Sequence, residues 1–324
     1  MHSWSRRTLA AVAAALLAAP FGAAAQEYPT RAVTVIVPQA PGGTNDIVAR
    51  VVGEALSRSL GQPFVIENRP GAGGNIGTQA AARAKPDGYT LLVTISSSQA
   101  INPALYKKVP FDPVKDFAPI TLLGSVPNVL VANTEFPPNT LPELIALAKA
   151  KPGELKYASA GNGTLNHLLG EMLKTSAGID LVHVPYKGVA PAVTDVLGGF
   201  VNMGFASLPS VVSHLRNGKL KAFGVSTAQR SPTLPDVPAI GETVPDYAGD
   251  LWVGLFAVAG TPKDIIAKLH AETVKALGTP AVREKLETQG VEVATSTPEE
   301  LAAKLQADLA LWAKVVKESG ATVD

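Results

Sequence analysis

The sequence predicts an α/β protein of two lobes, and three observations lead there. Short β-branched or apolar runs alternate with stretches of helical period. That alternation occurs in two blocks of comparable length. Between and after the blocks lie two segments suited to crossing from one sheet to another, and a helical tail closes the chain.

Each element has its own warrant. "AVTVIVP" (32–38) reads as a buried strand, continuous in β-branched residues. "PGGTND" leads into a helix whose apolar positions Ile47, Val48, Val51, Val52, Ala55 and Leu56 recur with helical period and stop at Gly61. "PFVIEN" is a second strand, "GAGGNIGTQAAARAK" a glycine-rich entry to a second helix, and "YTLLVTIS" a third strand. This β-α-β-α-β order implies right-handed crossovers and a mostly parallel sheet. "NPALYKKVPFDPVKDFAP" has many prolines and no period, so it is expected as an irregular surface excursion. "ITLLGSVPNVLVANTE" is extended and long enough to change sheets.

The second block repeats the logic without repeating the sequence. Helix "LPELIALAKAK", strand "LKYASA", helix "TLNHLLGEMLKTSAG", strand "DLVHVPY" and helix "APAVTDVLGG" come first. "VNMGFAS", a helix in "LPSVVSHLRNG" and strand "LKAFGVST" follow, then the proline-rich "QRSPTLPDVPAIGETVPDYAGD". The chain finishes with strand "LWVGLFAV" and two helices, "TPKDIIAKLHAETVKALG" and "TPEELAAKLQADLALWAKVVKES". Two crossings divide it into one lobe of residues 26–125 plus 248–324 and another of 126–247.

Residues 1–25 read as an export signal that is removed: Arg6 and Arg7, the apolar "TLAAVAAALLAAPF", and an A-x-A site at Ala23–Ala25. The arginine pair leaves twin-arginine export open beside the general route. That leader holds two of the 28 basic residues and none of the 27 acidic ones, so the remaining chain is close to neutral. Such balance argues against nucleic acid and against electrostatic membrane binding. With no cysteine, disulfides and thiolate metal sites are excluded, and the core alone holds the fold.

Three loops share one form, a strand followed by glycine-rich backbone and a helix start: "PQAPGGTND" (38–46), "NRPGAGGNIGT" (68–78) and "SAGNGT" (159–164). Each is either ordinary turn chemistry, in which Gly supplies backbone angles and Thr or Asp caps the helix, or an anion cradle of backbone N–H groups. The spacing Gly71, Gly73, Gly77 approaches a dinucleotide fingerprint. It follows the second strand rather than the first, and no acidic residue ends a strand about 20 positions on. Catalytic signals are thin. "GVSTA" lacks the last Gly of a nucleophile elbow, and the histidines are scattered without metal-ligand spacing. His167, three residues after Thr164, either reaches a ligand or bonds loop backbone. Trp252 reads as a core or hinge aromatic.

Eight segments in order carry a resemblance that covers essentially the whole chain after the leader. They are "VPQAPGGTNDIVAR", "VIENRPGAGGNIGT", "KPDGYTLLV", "INPALYKKVPFDPVKDFAPI", "YASAGNGTLNHLLGEMLK", "VHVPYKG", "RSPTLPDVPAIGE" and "GLFAVAGTP". Together they resemble the Bug-type extracytoplasmic solute receptors of the tripartite tricarboxylate transporter family. The resemblance implies a type II periplasmic binding protein, a Venus flytrap of two α/β lobes joined by two crossing strands. It further implies a monomeric receptor, not an enzyme, that needs no cofactor. Such a receptor takes a small mono-, di- or tricarboxylate and delivers it to an ion-coupled, two-subunit membrane permease.

Site residues follow from the same resemblance. Ser159, Ala160, Gly161 and Thr164 match the loop that holds one carboxylate, with His167 beside it. Gln39, Ala40, Gly42, Gly43, Thr44 and Asp46 match the loop that closes on the other end, and Ser97 and Ser98 lie in a strand end that lines the cleft. Ala206 and Ser207 match a further lining segment. Family members often carry an aromatic where Gln39 stands and an Asp where Ala206 stands. These departures lean away from amino-acid ligands and toward an uncharged or purely acidic one. Two other readings stay open from the residues alone, an exported serine hydrolase and a ligand sensor without a transport role.

Overall fold

The computed structural model describes residues 28–323, and the expected export signal lies outside them. Two five-stranded mixed sheets form the two lobes. In the first, β1 (Val33–Val37), β2 (Phe64–Asn68) and β3 (Thr90–Ile95) are parallel, in the order β2-β1-β3. The connections are α1 (Thr44–Leu60) and α2 (Asn75–Ala82), as the alternating pattern requires. β4 (Phe117–Val126) ends the sheet, and Pro127 carries the chain into β5 (Asn128–Asn133) of the second sheet.

That second sheet has the parallel strands β6 (Lys156–Ser159), β7 (Val182–Pro185) and β8 (Met203–Ser207), then β5 and β9 (Leu220–Val225), in the order β7-β6-β8-β5-β9. Its helices are α4 (Leu141–Ala150), α5 (Leu165–Ala177), α6 (Val189–Leu197) and α7 (Leu208–Arg216). The chain then returns as β10 (Leu251–Val258), antiparallel between β3 and β4. α8 (Lys263–Leu277), α9 (Pro280–Glu287) and α10 (Pro298–Ser319) complete the described residues. Each sheet thus receives one antiparallel strand from the far side of a crossing.

Strand alternation sorts the core. On β10, Val253, Leu255 and Ala257 pack with Val33, Val35 and Val37 under α1, while Trp252 and Phe256 turn to the opposite face. On β5, Leu130 and Ala132 join the Trp252 face, and Val129 and Val131 pack under α6 and α7. One apolar cluster therefore runs across both lobes, along α5 and α10. The crossings are tied to each other: Asn128 N–H donates to Ser226 Oγ (3.2 Å), Ser226 N–H to Asn128 O (2.8 Å) and Gly249 N–H to Ser226 O (2.8 Å).

Three local expectations change. Residues 97–101 form a wide i→i+5 helical turn rather than a strand end, and run into the short helix α3 (Asn102–Leu105). The proline-rich excursion after it is anchored in the core. Leu105, Phe111 and Phe117 are buried, with Phe117 edge-on to both Phe111 (6.3 Å) and Phe256 (6.4 Å). Those aromatics compensate for the missing period. Helix α9 was not expected, because its eight residues bury only Val282 and Leu286 and show too short an apolar stripe to read.

Candidate functional site

The loop 159–164 answers why small residues precede an amphipathic helix. Gly161 (φ 128°) and Gly163 (φ 74°) take left-handed angles that side chains disfavour. Thr164 then caps α5, its Oγ1 accepting from His167 N–H (3.4 Å) and donating to Gly161 O (2.7 Å). Leu165, Leu168, Leu169 and Met172 bury the apolar stripe. The first-turn N–H groups of Leu165 and Asn166 fall outside the intrahelical ladder, and both residues line the space between the lobes. The turn chemistry is observed, and it leaves these first-turn donors without an intrahelical acceptor.

That space is a cleft of about 510 Å³. Thr44, at the start of α1, faces Ala160 to Asn166 across it, and Val189 and Ser207 bring the starts of α6 and α7. Gly43 and Gly188 precede α1 and α6 with no side-chain acceptor, so those first-turn donors stay available. Among the described residues lining the cleft, none carries a charged side chain. The positive potential comes from four converging helix starts, each equivalent to roughly half a unit charge. Neutral amides and hydroxyls complete the wall: Ser97, Asn102, Asn128, Asn162 and Asn166.

The expected site residues divide between the cleft and its scaffold. Thr44, Ser97, Ala160, Thr164 and Ser207 line the cleft. Ala40, Gly42 and Gly43 are exposed on the facing loop. Gln39 does not offer its amide: Nε2 donates to Ser98 Oγ (2.8 Å), and Oε1 accepts from Asn45. Ser98 is buried and its hydroxyl donates to Gly73 O (3.0 Å). Asp46 is buried too, accepting from Gly42 N–H (2.9 Å), Arg50 Nε (2.9 Å) and Asn68 Nδ2 (2.9 Å). Burial alone would raise its pKa, but these bonds, that from Arg50 foremost, outweigh it and hold the carboxyl below its usual value. Ala206 is buried in the apolar core under α6 and α7.

Ser159 and His167 belong to the support of the loop. Ser159 is fully buried, 2.6 Å from His183 Nε2, and accepts from Gly161 N–H (3.1 Å). His183 stacks on His167 (4.0 Å between ring centres) and on Tyr157 (4.9 Å). His167 Nδ1 accepts from Gly163 N–H (3.1 Å), so it bonds loop backbone. Glu171 accepts from the Tyr157 hydroxyl (2.7 Å) and from Lys174 (2.9 Å). A buried serine beside a histidine that bonds no carboxylate among the described residues is a brace rather than a nucleophile.

This brace predicts acid sensitivity. Burial, with the stacked His167 beside it, lowers His183 to about 4, and burial lowers His167 as well. The unfolded chain takes up protons as pH falls through 6.5, whereas the folded chain resists until about 4. Stability is therefore expected in full above pH 6.5 and to decline between about 6.5 and 4. Melting curves across that range should fall, by roughly 2–4 °C per kcal/mol lost, and less steeply for His183→Gln. An equally steep fall in that variant would assign the effect elsewhere.

Asn102, Asn128 and Asn166 were not legible as site residues. Asn166 Nδ2 donates to Asn128 Oδ1 (2.7 Å), while Asn102 Nδ2 holds Gly73 O (3.0 Å) and Asn75 Oδ1 (2.8 Å). The available signals were position alone: second in a helix after its cap, and first after the crossing proline. A separate cavity of about 540 Å³ beside the crossings is lined by charged groups that pair among themselves, such as Lys304 with Asp250 (3.0 Å) and Asp308 (3.6 Å). Acidic groups outnumber basic ones in its lining, so the uncharged cleft is the better site for an anion.

Known proteins match this chain in sequence and fold. The model of the tripartite tricarboxylate transporter family receptor matches residues 48–321. The protein BugT of Bordetella pertussis (strain Tohama I) is 39% identical over 312 residues, covering 96% of this chain and 95% of BugT. The R. palustris protein Rpa4515, solved with adipate, is 35% identical with TM-score 0.75, covering 92% of this chain and all of that one. MatC from Rhodopseudomonas palustris, solved with malate, is 36% identical with TM-score 0.71, covering 89% and 100%. The chain belongs to the tripartite tricarboxylate transporter receptor family, whose members are periplasmic solute-binding proteins rather than enzymes.

Proposed function

We propose that this receptor is exported to the periplasm, captures a small carboxylate between residues 26–125 plus 248–324 and residues 126–247, and delivers it as a monomer to an ion-coupled, two-subunit permease. The observation that carries the reading is the cleft wall: four helix starts converge on it and no described lining residue is charged. Such a wall meets an anion with N–H donors at the starts of α1, α5 and α6, and brings no acid to attract cationic ligands. Adipate and malate in two relatives support a dicarboxylate of modest length. Among the described residues no helix is long and apolar enough to cross a membrane.

A thermal-shift screen over mono-, di- and tricarboxylates, each beside its methyl ester, tests this. A ligand at a hundred times its Kd should add about 2.7 kcal/mol of stability, and its ester almost none. Equal shifts from acid and ester, or no shift from any acid, would defeat the reading.

A further inference from the structure

We infer that the segment following α10, residues 321–323, is a wall of the cleft that limits the length of the bound ligand. The inference rests on the carboxylate reading of the cleft and adds a determinant from a distant part of the chain. Helix α10 packs on β4, on the turn at 97–101 and on α3, and then reaches across to α5. Trp312 of α10 and Leu169 of α5 close on Gly249 from two sides, at 3.0 and 2.9 Å from where a Cβ there would stand. The helix ends at Gly320, left-handed at φ 66°, its N–H bonded to Val316 O (3.0 Å). This reversal turns the chain back toward the lobe boundary.

There Val323 lines the cleft. Its Cγ1 stands 2.6 Å from the position a Cβ on Gly163 would take, and Leu105 Cδ2 stands 2.7 Å from the same point. The carboxylate loop is thus met from one side by both lobe 1 and the tail. Val323 keeps 37% of its surface exposed, so it stands at the mouth of the cleft, with one face outward. Leu105, Val189, Leu251 and Val323 make the apolar part of a wall whose polar part is the helix starts. A linear dicarboxylate anchored at Leu165 and Asn166 meets this apolar part with its methylenes, and a longer one meets Val323. Only three described residues tether the wall to a helix end, so it can be removed without disturbing a strand or helix.

The chain truncated after Gly320, the Val323→Trp chain and the intact chain are compared by calorimetric titration with succinate, adipate and suberate. Truncation should raise the affinity for suberate relative to succinate at least about tenfold, and Val323→Trp should lower that ratio. The same ratio in all three proteins would overturn the inference. If the intact chain binds none of these acids, the carboxylate reading fails, and the wall is judged by a second measurement. The sequence has no cysteine, so Val323→Cys carries a single bimane label. The folded protein should show blue-shifted emission and protection from iodide relative to the denatured chain. Equal quenching in both states would place the tail in solvent and overturn the inference independently.

Discussion

Replacing Asn166 by Asp is expected to weaken carboxylate binding by about two orders of magnitude while leaving the fold intact. Asn166 occupies the second position of α5 and lines the cleft beside the first-turn N–H groups. A carboxylate there would stand about 5 Å from a bound one and repel it by ~3 kcal/mol at an effective dielectric constant of about 20. The helix gains, since an acid in the first turn favours the dipole by roughly 0.3–1 kcal/mol. Asn128, which now accepts from Asn166, can turn its amide and donate to the new carboxylate. Calorimetric titration beside melting of the free protein reads both effects. Binding within about threefold of the parent would place the carboxylate away from this helix start.

Trp252→Ala is expected to cost about 4 kcal/mol of stability. Trp252 is fully buried on β10, next to the return crossing, and its indole N–H donates to Asp308 Oδ2 of α10 (2.5 Å). Removing the ring leaves a cavity facing Phe256 and deprives a half-paired acid of its donor. Burial already raises the Asp308 pKa against the pull of Lys304, so the acid would be still more easily protonated. Denaturant unfolding should show a lower midpoint with little change in slope. A loss under about 1 kcal/mol would show that α10 docks without this indole.

Loop residues show best why half of the site was legible. Thr164 could be placed as a cap from four residues of local sequence, because capping is a bond between a side chain and an N–H three positions on. Its hydroxyl proved committed to Gly161 O, so the donors left for an anion are the N–H groups themselves. Gln39 and Ser98 were expected at the ligand for their polar ends. They instead bond each other across 59 positions. His167 could be read as near the loop from its spacing to Thr164, yet its stacking partner His183 comes from another strand.

The sequence by itself determined what depends on near neighbours. Strand and helix periods, glycine at left-handed turns, an extended segment able to change sheets and a capping residue at Thr164 as one of two readings each rest on contacts within a few positions. Whether a polar loop side chain faces a ligand or its own scaffold depends on what arrives from elsewhere. His183 draws Ser159 inward, Arg50 and Asn68 enclose Asp46, and α6 and α7 cover Ala206. Only the tertiary structure could decide those, and only it brings Val323 to Gly163. The physical reason is that buried polar groups must find partners wherever packing supplies them, and those partners stand far away along the chain.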